Sequence, residues 1–282
     1  MTDSARTARV ARVVAGMPTR DGAGVRLTRL VGTPQLDMLD PFLMLDEFGT
    51  DRPQDYLAGF PDHPHRGFET VTYMLEGRMR HRDNRGNEGL LVPGGVQWMT
   101  AGRGLVHSEM PEQEEGRMRG FQLWVNLPAR DKLCEPRYQE FAPDRIPRVR
   151  PAPGVEVAVI AGRVDGATGP VEQPATSPVY LDLALDAGAA WAPALPEGHA
   201  GFAYVFEGAA QVGSDAREVA RGQLAVLDGA GEVRLHAAGD AARLLFVAGR
   251  PLREPVARYG PFVMNTREQL QQAFLDYQAG RF

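Results

Sequence analysis

The chain has 282 residues, more than the ~100–200 usual for one domain, so two domains with separate cores are expected. A hydrophobic content of 43% beside 24% charged residues is ordinary for a globular protein, and no apolar run approaches the roughly 20 residues of a membrane helix. The net charge of −5 comes without an extended basic block, which removes the electrostatic footprint of a dedicated nucleic-acid binder.

The amino-terminal stretch carries Arg6, Arg9 and Arg12 but no continuous apolar core before a cleavage site, so no secretory signal is expected, and the arginines read as a solvated face. Cys134 is the single cysteine; an internal disulfide is ruled out and a reducing compartment suits the chain. A cytoplasmic monomer with no membrane association is the expectation. With no histidine near it in the sequence, Cys134 reads as a buried or incidental thiol.

Short segments rich in Val, Leu, Phe and Tyr recur about every ten residues between turn signals such as "LEG", "DNRGN", "PGG" and "AGRG". This spacing predicts many short strands and an all-β barrel or sandwich. Residues 142–154, "APDRIPRVRPAPG", hold four prolines and read as a linker between a domain at 1–141 and one at 155–282. The two halves echo each other: "TYMLEG" at 72–77 matches "AYVFEG" at 203–208, and "FQLWVNLP" at 121–128 matches "LLFVAGRP" at 244–251. Two related β barrels are therefore predicted. A helix is expected only at the end, where Thr266 and Gln269 form a capping box, Leu270, Ala273, Phe274 and Tyr277 share a face, and Gly280 stops the helix.

The chemistry gathers in the first half. In an extended segment residues i and i+2 point to one side, so "HPH" projects His63 and His65 together, and "HSE" projects His107 and Glu109 in the same way. If the first barrel closes, both pairs converge on one interior point, and three imidazoles with one carboxylate make a metal site. Imidazole and carboxylate without thiolate suit a first-row divalent ion. Iron(II) is the expected ion, with manganese, nickel, copper and zinc as the other candidates. Four protein ligands on an ion that prefers six leave room for water, dioxygen or a chelating substrate. Glu69 is expected as a further ligand, as a carboxylate behind an imidazole, or as the acid that pairs with Arg66. Aligning the two "EG" turns pairs His63, His65 and Glu69 with Ala194, Pro196 and Ala200, so the second barrel has lost the polar set. His199 and His236 lack ligand partners and read as surface or hydrogen-bonded residues, and His81 as exposed at the approach to a turn.

At these residues the sequence resembles the pirin family of the cupin superfamily. The likeness covers nearly the whole chain: "LDPFLMLDEFG" at 39–49, "FPDHPHRGFETVTYMLEG" at 60–77, "VPGGVQWMTAGRGLVHSEMP" at 92–111, "FQLWVNLP", and "EPVARYGPFVMNT" at 254–266. The resemblance implies an all-β fold of two tandem cupin barrels with a short C-terminal helix, one iron in the N-terminal barrel, and a metal-free C-terminal barrel. It implies that His63, His65, His107 and Glu109 are the ligands, and that Glu69 occupies the first-motif glutamate position of cupins without being the main ligand. Two roles are known among such proteins: cleavage of flavonols such as quercetin with dioxygen, and binding to other proteins as a redox-sensitive regulator of transcription or of a metabolic enzyme. For a dioxygenase, Glu109 is the expected base, and Phe68, Met74, Trp98 and Met99 the expected walls of the flavonol pocket. For a binding protein, Arg66 and Arg103 are the expected contact face.

Overall fold

Strand-length runs of alternating side chains fold the chain into two antiparallel barrels, seen in a computed structural model that describes residues 7–282. Arg6 lies outside the described residues. Two compact units divide the chain. One comprises residues 18–32, 42–144 and 252–282; the other comprises residues 7–17, 33–41 and 145–251. Both termini thus depart from the expected split at 142–154. Strand Arg9–Ala15 pairs with Gln223–Asp228 in the C-terminal barrel, whereas residues 252–282 belong with the N-terminal barrel.

The expected linker is structured. Residues Pro143–Arg145 form a 3-10 turn, and Arg148–Ala152 form the outermost strand of a seven-stranded sheet. An edge strand tolerates proline because its outward amides have no ladder partner to lose.

In the N-terminal barrel, a seven-stranded sheet runs in the spatial order Arg137–Phe141, Val96–Thr100, Phe68–Glu76, Met118–Asn126, Phe42–Thr50, Val25–Val31, Met17–Asp21. A four-stranded sheet runs Phe60–His65, Leu105–Pro111, Met79–Asp83, Glu88–Leu91. The C-terminal barrel repeats the plan: Ala200–Glu207 lies between Gln223–Asp228 and Ala242–Gly249, as Phe68–Glu76 lies between Val96–Thr100 and Met118–Asn126. The sequence echoes therefore fall on equivalent central strands. The C-terminal barrel is filled by an apolar cluster that includes Leu183, Val205, Leu235 and Phe246. At the positions matching the ligand strand, Ala194–Leu195 pairs with Gly231–Glu232.

The helix Arg267–Gln278 starts as expected, with Thr266 and Gln269 in a reciprocal capping box. Leu270 and Ala273 are buried and pack with Phe262 and Phe274. The hairpin before it, Ala257–Tyr259 with Phe262–Met264, is tied to the barrel by Lys132, the chain's only lysine. Its amino nitrogen is buried, and burial pulls its pKa down to about 7; it lies 2.7 Å from Gly67 O, 2.7 Å from Asn126 Oδ1 and 3.0 Å from Val263 O, and as the ammonium it donates to all three. Three protons on a compact head match three oxygens, a fit that the planar fork of arginine does not reproduce. Lys132→Met leaves three acceptors without this donor at a buried site and is expected to lower the unfolding free energy by about 3 kcal/mol, read as a shift in the urea midpoint. An unchanged midpoint contradicts this role.

Candidate metal centre

The site is built where two strands of the four-stranded sheet pair. Phe60–His65 is its edge strand, so Pro61 and Pro64 cost it no ladder bond. The register sets His63 opposite His107 and His65 opposite Leu105, and a bulge between His107 and Glu109 places Glu109 opposite Phe60. The His63, His65 and His107 rings form a triangle with centroid separations of 4.7, 4.4 and 5.0 Å. Each offers a nitrogen, and these atoms lie within 4.8 Å of one another.

The corners that deliver these strands require glycine. Gly67 has φ +85°, and a Cβ there would lie 2.0 Å from Val263 O; at Gly104, φ +130°, it would meet the Phe282 ring at 2.8 Å. Between them Arg66 donates to Arg103 O at 2.5 Å and to Asp276 Oδ2 at 2.7 Å, with its guanidinium over Phe282. Arg66 is buried, so it is a staple for the corner and not part of an exposed face, and its acid partner is Asp276 in place of the expected Glu69. Arg103 pairs with Glu135 at 2.9 Å.

Three expected ligands converge, and the fourth behaves differently. Glu109 lines the same cavity, but its carboxylate is outside the group of close nitrogens. Its Oε1 accepts a hydrogen bond from Thr72 Oγ1 at 2.8 Å. Glu69 is fully buried and accepts from Thr100 Oγ1 at 2.6 Å. Alternation along Phe68–Glu76 points it to the face opposite Thr70 and Thr72, which removes it from the imidazoles.

The nitrogens suit a cation. His63 Nδ1 lies 2.8 Å from Pro61 O; a carbonyl only accepts, so Nδ1 carries the hydrogen and Nε2 keeps the lone pair. His107 is 1% exposed, yet neither of its ring nitrogens has a hydrogen-bond partner. An orphaned buried polar group costs about 1–3 kcal/mol, and a metal ion would give its lone pair a partner. Burial holds the His65 and His107 pKa values well below the ordinary imidazole range, with charge on neighbouring histidines adding to the effect. Both are therefore neutral near pH 7, the form that ligates.

The cavity beside them has a volume of about 670 Å³. Leu27, Met44, Phe48, Phe60, Met79 and Trp124 give it apolar walls, and Arg29, Asp46, Gln122 and Arg258 contribute polar groups. Arg29 and Asp46 are joined by two hydrogen bonds, of 2.8 and 2.7 Å. None of the four expected wall residues lines this space. Phe68 packs behind the site, with ring centroids 5.0 Å from His65 and 4.4 Å from Trp124. Met74 is buried with Leu27, Phe48 and Met79, Met99 with Ala101 and Leu105, and Trp98 shares the outward strand face with Thr100 and the neighbouring Val71. All four belong to the core because the strands carrying them are covered on both faces.

His81 also departs from expectation. It is 2% exposed, opposite Glu109 on the next strand, with its ring 6.5 Å from His107 and 4.8 Å from Tyr138. Strand alternation, which buries Met79 and His81 and exposes Arg82, outweighs the nearby turn. His199 and His236 are hydrogen-bonded residues of the other unit, to Ser177 O at 3.0 Å and Gln211 Oε1 at 3.1 Å. The thiol of Cys134 is half-buried, and burial pushes its pKa up, as fits an incidental cysteine.

The fold and site define a bicupin with a three-histidine centre in its N-terminal barrel. The family model for Pirin matches residues 24–125, and that for the Pirin C-terminal cupin domain residues 180–282. The chain is 58% identical, over 94% of each sequence, to a Pseudomonas aeruginosa protein provisionally named quercetin 2,3-dioxygenase. It is 56% identical to a pirin-like protein of Caulobacter vibrioides, over 97% of this chain and 98% of that one. A crystal structure of quercetin 2,3-dioxygenase from Acinetobacter baumannii superposes with a TM-score of 0.90 at 33% identity, covering 98% of both chains. The chain belongs to the pirin family.

The neutral imidazoles give the metal-free protein a pH dependence. In the unfolded chain histidine takes its proton near pH 6.5, whereas His65 and His107 resist protonation in the fold. The unfolded state binds more protons below that pH, so stability is complete above it and lost as pH falls. The melting temperature of metal-free protein is expected to drop between pH 7.5 and 5.5, less steeply in His107→Gln. Identical slopes for the two proteins contradict the assignment.

Proposed function

We propose that the chain is an iron-dependent dioxygenase that cleaves flavonols such as quercetin with dioxygen and releases carbon monoxide. The observation that carries this reading is the placement of three imidazole nitrogens, within 4.8 Å of one another, on the wall of a largely apolar cavity that also presents a carboxylate. A volume of about 670 Å³ falls in the range that holds a small multi-ring ligand. The relatives named for quercetin cleavage support the choice of substrate class.

His63, His65 and His107 would hold the ion, which supplies Lewis acidity toward the adjacent hydroxyl and carbonyl oxygens of a flavonol. Leu27, Met44, Phe48 and Phe60 flank the flat rings and exclude water. Glu109, on the same wall, accepts the proton of the flavonol hydroxyl, converting the substrate to the electron-rich enolate that reacts with dioxygen. Arg29 with Asp46, and Gln122, offer hydrogen-bonding partners to the peripheral hydroxyls. The core residues Phe68, Met74, Trp98 and Met99 act by supporting the barrel.

Aerobic incubation with quercetin tests the reading. Loss of flavonol absorbance with stoichiometric carbon monoxide is expected, abolished in His107→Ala and reduced by a factor of about 10²–10⁴ in Glu109→Gln, the range for losing a general base. Fully iron-loaded protein that leaves quercetin intact contradicts the enzyme and favours a metal-dependent, redox-sensing protein-binding role.

A further inference from the structure

Thr72 has one hydroxyl proton and two close partners. Its Oγ1 lies 2.8 Å from Glu109 Oε1 and 2.7 Å from Gln122 Oε1. One proton cannot serve two acceptors, and a carboxylate can only accept, so we assign the proton to Glu109. The two ends of a carboxamide are assigned from their partners, so the Gln122 end at the hydroxyl is then assigned as Nε2, exchanged with Oε1, and donates to Oγ1. Gln122 sits directly opposite Thr72 on the adjacent strand, so the hydroxyl is anchored on one side and aimed on the other. Thr72 and Glu109 are 1% and 4% exposed. A charge-assisted hydrogen bond in so dry a place is strong.

This bond holds the carboxylate whose oxygens lie outside the close group of nitrogens. A carboxylate oxygen that accepts a hydrogen bond from a fixed hydroxyl must give up or share that bond to reach a cation. We propose that Thr72 is a positioning residue that competes with the ion for Glu109, holding the carboxylate on its hydroxyl and back from full ligation. This inference rests on reading the three imidazoles as a metal centre. It assigns to a neutral, buried threonine the balance between two roles of one acid.

The test is calorimetric titration of metal-free protein with Ni(II), using wild type, Thr72→Val, Thr72→Ser and the same Thr72→Val change in a Glu109→Gln background. Losing the hydroxyl frees the carboxylate, so Thr72→Val is expected to bind Ni(II) roughly tenfold more tightly than wild type, the size of one hydrogen bond to a charged group. Thr72→Ser restores wild-type affinity, and in Glu109→Gln the Thr72→Val change has no effect, because the pair is coupled. Quercetin turnover by Thr72→Val falls while its metal affinity rises, a split that simple loosening of the barrel does not produce. Should valine disturb folding, Thr72→Ala, which adds no bulk, is expected to show the same gain. Equal or weaker Ni(II) binding by folded Thr72→Val or Thr72→Ala overturns the inference while leaving the metal centre standing. Wild-type protein that binds no Ni(II) overturns both.

Discussion

The pairing of Phe60–His65 with Leu105–Pro111 is the constraint on which the site depends. Side chains on a strand alternate, so a slip of one residue would turn His107 and Glu109 away from the cavity together. In the observed register His63 faces His107 across the ladder, and the bulge after His107 sets Glu109 opposite Phe60. Two strands more than forty residues apart in the chain thereby give three nitrogens within 4.8 Å of one another.

That register is held from outside the sheet. Arg66, next to His65 in sequence, and Lys132 are buried basic residues whose donors converge on the corner leading out of the ligand strand. Their partners include Asp276 and Val263, from the last thirty residues of the chain. The C-terminal segment, which also contributes Arg258, Gly260 and Pro261 to the cavity, is therefore part of the N-terminal barrel's site. Such rigid support is what a centre needs if its ligands are to hold a shape before the ion arrives.

Much of this was legible in the sequence. Period-two spacing in "HPH" and "HSE" identified the three imidazoles and Glu109 as residues of one interior, and the repeated "EG" turns identified two barrels with equivalent central strands. Three things were not legible, each for a physical reason. Boundaries taken from prolines missed the exchange of terminal segments, because composition marks loops and cannot reveal which sheet a strand joins. Pocket walls chosen for size and apolarity fell in the core, since both faces of a central strand are apolar here and nothing local distinguishes them. The setting of Glu109 depends on Thr72 and Gln122, uncharged residues from two other strands, and only their cross-strand register shows that they meet. His81 is hidden for a related reason: its nearness to "DNRGN" points to solvent, whereas the alternation of its strand buries it.

The barrels carry the same plan with different interiors, one holding a largely apolar cavity edged by polar groups and the other an apolar core. One barrel is thus stabilised by packing, while the other holds imidazole nitrogens that packing alone leaves without partners. The proposed chemistry requires those nitrogens to bind an ion. Elemental analysis of protein purified without added metal, compared with His63→Ala, measures this most directly. One first-row ion per chain in the wild type, iron by this account, and little in the variant is the predicted result. Equal metal content in the two, or a wild-type chain that takes up no iron(II) when it is offered, would contradict it.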